Sequence, residues 1–362
     1  MRKTSPATLL AKWLIPLWTT TALCLAAPFP YAPVVPGYTV SFPRDFGAHP
    51  DYRTEWWYVT GWLTTEAGKP LGFQVTFFRS PLNIDNGNPS AFAPRELIFA
   101  HAALSAADYG SLLHEQRAAR AGFGLAGASA TDTDIWLDDW RLTRSGGKYR
   151  ATIGGRELAM QLDLVPSQPL LLQGDRGYSR KGPLAGQASY YYSEPQLAVS
   201  GVITRAGKQE TVRGAAWLDH EWSTAYLADA AVGWDWTGIN LDDGGALMLF
   251  LIRGKDGKPV WAGGTRRLPD GSVVTFNADA VSFTPLEHWR SPRTGTDYPV
   301  AMRVEAGDVR LDLIPLMKDQ ELDSRASTGA VYWEGAVEAK RAGKTVGHGY
   351  LELTGYFKPL QL

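Results

Sequence analysis

The chain has 362 residues, 44% of them hydrophobic, and a formal net charge of -1. That supplies core for about two globular domains and excludes a disordered chain, and the absence of any basic run excludes a nucleic-acid surface. Its 38 Gly, 23 Pro, 14 Trp, 15 Tyr and 13 Phe suit many short strands joined by turns.

Arg2 and Lys3 precede an apolar run over residues 9–25 that ends in Leu25-Ala26-Ala27, the layout of a secretory signal peptide. Residues 1–27 are therefore expected to direct export, leaving a periplasmic or secreted protein. The single cysteine, Cys24, lies inside this segment, so no disulfide or thiol nucleophile is expected beyond it. Lipid attachment at Cys24 is the weaker reading, because Leu23 stands where a small residue is needed. Residues 28–50 carry Pro28, Pro30, Pro33, Pro36, Pro43 and Pro50 and predict an extended lead-in with no folded element.

Residues 55–63 are apolar on both faces, which predicts a strand covered on both sides. A turn at 65–70 leads to a second strand, where Phe73, Val75 and Phe77 alternate. Residues 80–95 read as a long loop and 97–104 as a strand, while 102–107 and 112–121 predict short helices. From residue 133 the pattern is strand and turn. There is no Gly-rich phosphate loop and no second apolar run long enough to span a membrane.

Self-comparison shows a duplication. Trp57-x-x-Thr60-Gly61 recurs as Trp234-x-x-Thr237-Gly238, and Phe78-Arg79 falls against Ile252-Arg253. Trp140-Arg141, Tyr149 and Leu162-Asp163-Leu164-Val165-Pro166 match Trp289-Arg290, Tyr298 and Leu311-Asp312-Leu313-Ile314-Pro315 at one shared spacing. Arg205-Ala206-Gly207-Lys208 recurs as Arg341-Ala342-Gly343-Lys344. Matches in one order predict an all-β chain of two tandem antiparallel barrels, 51–224 and 225–362. The second copy is shorter, chiefly around 80–130. A barrel of this size holds a small apolar ligand or simply fills its interior with aromatics.

The densest chemistry is Trp217-Leu218-Asp219-His220-Glu221-Trp222-Ser223. Ionisable groups beside indoles cost several kcal/mol to bury unless they are paired. In an extended strand Asp219 and Glu221 share one face, and His220 shares the other with Trp222. Either set serves as acid/base groups at a cavity, or the acids pair with Arg79, Arg213 or Arg253. The candidate catalytic residues are thus His220, Glu221 and Asp219. Ser223 is adjacent in sequence only, and no Gly-x-Ser-x-Gly elbow exists. No metal site is expected, since His220 could meet another ligand only through convergence with His101. Glu55, Trp57, His101, Trp222, Trp234 and Trp236 are the candidate ligand-binding residues. No cofactor is expected.

His49-Pro50-x-x-x-x-Glu55-Trp56-Trp57-Tyr58-Val59-Thr60-Gly61, the 214–223 motif and the closing Gly347-x-Gly349-Tyr350-Leu351-Glu352-Leu353-Thr354-Gly355-Tyr356 resemble the AttH-like and carotenoid 1,2-hydratase (hydroxyneurosporene synthase) family. The resemblance covers about residues 49–357 and implies two lipocalin-like (calycin) barrels. It implies further that members are often exported, some being named predicted secreted hydrolases. Its carotenoid hydratases add water to an isoprenoid double bond and carry a His-x-Trp pattern, matched here by His220 and Trp222. They also carry a Tyr-x-Asp in a following strand, whereas residues 247–252 here hold neither Tyr nor Asp. The expected function is binding of an apolar, isoprenoid- or lipid-like molecule in a barrel cavity, with a hydratase or hydrolase acting on it as the alternative. A membrane exporter is a further candidate partner.

Overall fold

The computed structural model describes residues 31–82, 89–90 and 92–360, so the segment expected to direct export and part of the lead-in lie outside the described residues. The first sheet contains β1 (Thr54–Thr65), β2 (Pro70–Pro81), β3 (Glu96–Ser105), β4 (Leu113–Arg120), β5 (Ala126–Ala128), β6 (Asp134–Leu137) and β7 (Trp140–Ser145). It continues through β8 (Lys148–Ile153), β9 (Leu158–Pro166), β10 (Leu171–Leu172), β11 (Tyr178–Arg180), β12 (Ala188–Arg205) and β13 (Lys208–Ala225). The second sheet contains β14 (Ala231–Leu241), β15 (Ala246–Gly254), β16 (Pro259–Arg267), β17 (Val273–Phe276) and β18 (Val281–Arg290). β19 (Asp297–Ala306), β20 (Val309–Pro315), β21 (Glu321–Ser324), β22 (Ala330–Arg341) and β23 (Lys344–Leu353) complete it.

Their antiparallel orders repeat. The first runs β4-β3-β2-β1-β13-β12-β9-β8-β7-β6-β5, and the second runs β17-β16-β15-β14-β23-β22-β20-β19-β18. The chain is thus an all-β pair of tandem lipocalin-like barrels. β5 and β6 have no counterpart in the second sheet, and the two short strands β10 and β11 beside β12 are matched by β21 alone beside β22, so thirteen strands become ten.

Pairing corrects one repeat match by a single residue. Arg79 lies opposite Glu55, and Arg253 lies opposite Gly233. With Gly214 set on Gly347, His220 falls on Leu353; His220 lies opposite Trp57, and Leu353 lies opposite Asp235. Trp57 therefore corresponds to Asp235 and not to Trp234. The sequence match aligned identical letters, whereas the ladder aligns sides of the sheet.

The helices expected at 102–107 and 112–121 are absent; β3 and β4 occupy most of these stretches and pair with each other. Ala, Arg, Glu and Gln favour a helix locally, but the exposed edge of β3 offers a full ladder of backbone partners. The lead-in also differs from expectation. Val34, Val40, Phe46 and Ala48 pack into the first core, and a short 3-10 turn forms at Arg44–Phe46.

Each barrel encloses its own side chains. Trp57, Phe77, Trp140, Tyr149 and Trp222 fill the first, while Leu249, Tyr298, Met302 and Trp333 help fill the second. Burying each large apolar side chain contributes about 1.5–3 kcal/mol. A third cluster sits between the barrels and includes Tyr58, Tyr191, Trp217, Trp236, Phe250 and Tyr350. β1 is covered on both sides, as its sequence predicts: Trp57 and Val59 enter the first core, and Tyr58 enters the joint.

Candidate active site

Strand alternation divides the 217–223 motif between two environments. β13 lies between β1 and β12, so His220 is flanked by Trp57 and Tyr192, and Asp219 by Tyr58 and Ser193. Leu218 and Trp222 belong to the first core, which places His220 on the inward face. Asp219 and Glu221 face the joint and line a cavity there.

On the inward face Glu55 is the hub of an ion-pair cluster. Its carboxylate accepts from the His49 backbone N–H at 2.9 Å and meets His49 Nδ1 at 2.7 Å. His220 Nε2 lies 2.8 Å away and Arg79 Nε donates at 2.8 Å. Arg79 also bonds Glu96 and the carbonyls of His49 and Tyr52. Burial works against a charged Glu55, but His49, His220 and Arg79 outweigh it and hold the carboxyl well below its ordinary range. Burial lowers the His220 pKa, and the Glu55 contact only partly offsets this. A neutral His220 donating from Nε2 to Glu55 leaves Nδ1 to accept from Tyr192 Oη, 3.1 Å away. His49 is the charged imidazole: burial opposes protonation, but Glu55 and Asp45 raise its pKa.

His49, Glu55 and His220 have the donor types of a metal centre, with candidate ligand atoms within 4.8 Å of one another. The convergence is with His49 and not with His101, the residue considered from sequence. Arg79 already neutralises the carboxylate, and each ligand atom has a hydrogen-bond partner. This cluster fastens the lead-in to the barrel wall.

The joint holds a cavity of about 1010 Å³. The first barrel lines it with Trp56, Tyr58, Tyr191, Asp219 and Glu221, and the second with Trp234, Trp236, Tyr332, Glu334 and Glu352. Asp219 accepts from Tyr191 Oη at 2.7 Å on Oδ2, and from Ser193 Oγ at 2.5 Å and Trp217 Nε1 at 2.6 Å on Oδ1. These donors are neutral and favour the carboxylate, yet burial dominates and pushes the Asp219 pKa up to about 7. Three of its roughly four acceptor positions are taken, leaving one on Oδ2 for a proton. Glu221 accepts from Ser189 and pairs with buried Lys181 at 2.9 Å. Burial still raises the Glu221 pKa and lowers that of Lys181.

Glu334 and Glu352 lie directly opposite each other on β22 and β23. Burial and their mutual repulsion push the Glu334 pKa well above the ordinary carboxyl range. Burial carries Glu352 to about 7, although it accepts a bond from Trp234 Nε1. Two adjacent buried carboxyls cannot both ionise readily, so the second-barrel wall retains a proton at neutral pH.

His101 also lines the cavity, 2.8 Å from Tyr332 Oη and 2.9 Å from Ser327 Oγ. Burial lowers its pKa to about 3, so it is neutral. Ser327 beside an imidazole has the look of a nucleophile. The backbone N–H groups of Ser327, Thr328 and Gly329 all donate to the Ser324 carbonyl, which leaves none of them to stabilise an oxyanion. Ser223 donates to the Ala188 carbonyl and has no part in a triad.

Of the residues singled out from sequence, Asp219, Glu221, His101, Trp234 and Trp236 line the cavity. Glu55, Trp57, His220 and Trp222 do not; they are buried inside the first barrel. The cause is the period of two, which sends alternate residues of one motif to opposite sides. The expected barrel-interior pocket is corrected likewise, since the cavity lies between the barrels. Sequence reasoning passed over Glu334 and gave Glu352 no role beyond the closing motif. Yet Tyr332-Trp333-Glu334 shows the same signal as Glu55-Trp56-Trp57, an acid within an aromatic strand.

The crystal structure of a protein from Nitrosomonas europaea named for AttH is 55% identical and superposes with a TM-score of 0.85, covering 90% of this chain and 99% of that one. Kievitone hydratase from Nectria haematococca is 13% identical with a TM-score of 0.69, covering 91% of this chain and 98% of its own. CghA bound to Sch210972 is 12% identical with a TM-score of 0.51, covering 84% and 89%. The last two likenesses are of fold alone. No curated protein shows significant sequence similarity to the chain. The AttH-like family matches residues 33–356, across both barrels and the joint between them, and the chain belongs to that family.

Proposed function

We propose that the chain is a hydratase-type enzyme that holds an apolar, unsaturated ligand between its barrels and adds water across a carbon–carbon double bond. The observation that carries this reading is the convergence of four carboxyl groups, the buried Asp219, Glu221 and Glu334 and the partly buried Glu352, on one aromatic cavity. Protonating an alkene carbon needs an acid that stays protonated near neutral pH, which burial supplies here. Asp219 gives its Oδ2 proton to one alkene carbon, and the π electrons form the new C–H bond. The adjacent carbon becomes cationic, with the rings of Tyr58, Tyr191 and Trp236 at hand to stabilise it. Water attacks that carbon and loses a proton to the Glu352 carboxylate, so the product is an alcohol and the protein's proton count is unchanged. The reverse sequence is dehydration. That a fold neighbour is named as a hydratase is consistent with this chemistry.

The test is incubation with farnesol, an isoprenoid alcohol with trisubstituted double bonds, followed by mass spectrometry. The expected product is heavier by one water, and Asp219→Asn should reduce its formation by about 10²–10⁴-fold, the usual worth of a general acid. Farnesol bound stoichiometrically by wild type but recovered unchanged would sink the enzyme and leave a binding protein.

A further inference from the structure

Asp219 and Glu334 face the same cavity with opposite degrees of satisfaction. Asp219 receives three hydrogen bonds from the protein. Glu334 is 2% exposed, and neither of its carboxyl oxygens makes a hydrogen bond of full geometry, although the Tyr58 and Tyr332 hydroxyls stand close enough to act on its charge. The Tyr58 hydroxyl is also buried and makes no hydrogen bond of full geometry, its near neighbour being Glu334 itself. Both residues line the cavity, Tyr58 from the first barrel and Glu334 from the second. The neighbouring Tyr332 hydroxyl is engaged by His101, and Glu352 by Trp234. Two buried polar groups that face each other across a cavity without a full hydrogen bond are a feature that native proteins seldom leave unexplained, because an unmade buried hydrogen bond destabilises the fold.

We propose that Glu334 and Tyr58 form a recognition subsite for a hydroxyl group, so that the cleft selects a mostly hydrocarbon alcohol over the parent hydrocarbon. A hydroxyl is one donor and two acceptors. It accepts from Tyr58 Oη–H and donates to the Glu334 carbonyl oxygen, satisfying both groups at once. Glu352, directly across the strand pair, disfavours charge on Glu334 and keeps that carboxyl protonated. An ether accepts but cannot donate, and a hydrocarbon does neither. The walls beside the subsite, Trp56, Phe78 and Phe99, suit a hydrocarbon chain. This inference rests on the reading of the cleft as a ligand site, and it adds that the ligand is anchored by an oxygen function between Glu334 and Tyr58, the cross-strand neighbour of Asp219.

The experiment is displacement of a neutral fluorescent probe, N-phenyl-1-naphthylamine, from the full-length protein by farnesol, farnesyl methyl ether and farnesene. Farnesol should displace the probe at a concentration at least about tenfold lower than farnesene, with the ether between them. Tyr58→Phe and Glu334→Leu should each shrink that preference, while Glu334→Gln, which keeps a donor and an acceptor, should retain most of it. Equal displacement by farnesol and farnesene, or a preference that survives in folded Tyr58→Phe/Glu334→Leu, overturns the subsite and leaves the apolar cleft standing. If the probe binds and none of the three displaces it, the cleft reading falls, and the subsite with it.

Discussion

Glu55 and Glu334 are both fully buried glutamates on aromatic strands, yet the protein treats them oppositely. Glu55 sits among His49, His220 and Arg79 and is held well below its ordinary pKa. Its contribution to stability is present above the ordinary carboxylate range and is lost as pH falls through that range and below. Glu334 faces Glu352 and is held well above. The stability tied to Glu334, Glu352 and Asp219 is complete below their unfolded values of about 4 and is lost as pH rises toward and past 7. These groups therefore predict a stability maximum in mild acid, measurable as the urea midpoint from pH 3 to 9. Glu334→Gln should flatten the alkaline limb, gaining roughly 1–3 kcal/mol at pH 9 and little at pH 5. Glu55→Gln should lose stability at neutral pH, because it leaves the buried Arg79 without its carboxylate. An alkaline limb unchanged by Glu334→Gln would show that Glu334 ionises freely in the folded chain.

At the scale of elements, a strand's composition revealed burial but not which barrel would receive each face. The apolar faces of β1, the alternation in β2 and the repeat of β9 as β20 are all legible because period-two patterning is local. The division of Asp219 and Glu221 from His220 was legible too, as two alternatives. Which face met a cavity was not, since that depends on how a second barrel packs against the first. The β4 strand was misread because its local preference is helical and its partner is tertiary. The lead-in shows the same limit: its prolines were visible, but its anchoring role was not. Phe46 packs against Phe42 at 4.4 Å and beneath the Arg144 guanidinium at 3.6 Å, at the mouth of the first core. Phe46→Ala should destabilise the protein by about 3–5 kcal/mol, the usual cost of emptying a buried aromatic site. A thermal midpoint within a degree of wild type would show that this segment only lies on the barrel.

At the scale of the molecule, the candidate site belongs to neither barrel. Asp219 and Tyr58 come from one copy of the repeat, Glu334 and Glu352 from the other, and their separation is set by how closely the barrels approach. One place of close approach is where β2 meets β22. A side chain on Gly72 would place its Cβ 2.5 Å from Ala336 Cβ and 2.9 Å from Tyr350 Oη, distances that real Cβ atoms essentially never show. The backbone of Gly72 is therefore a spacer of fixed thickness between the two walls. Gly72→Val cannot be accommodated by rotating a flexible neighbour, because Ala336 has no torsion to yield, so the barrels must separate or tilt. Duplication makes this consequence specific: each barrel retains its own core, so widening the joint should impair the cavity far more than the cores. Gly72→Val should preserve the far-ultraviolet circular dichroism of a β protein while weakening N-phenyl-1-naphthylamine binding at least about tenfold. Wild-type probe affinity in a folded Gly72→Val protein would mean that the cavity does not depend on the contact between barrels. Global unfolding of the variant would mean that the two cores stand or fall together.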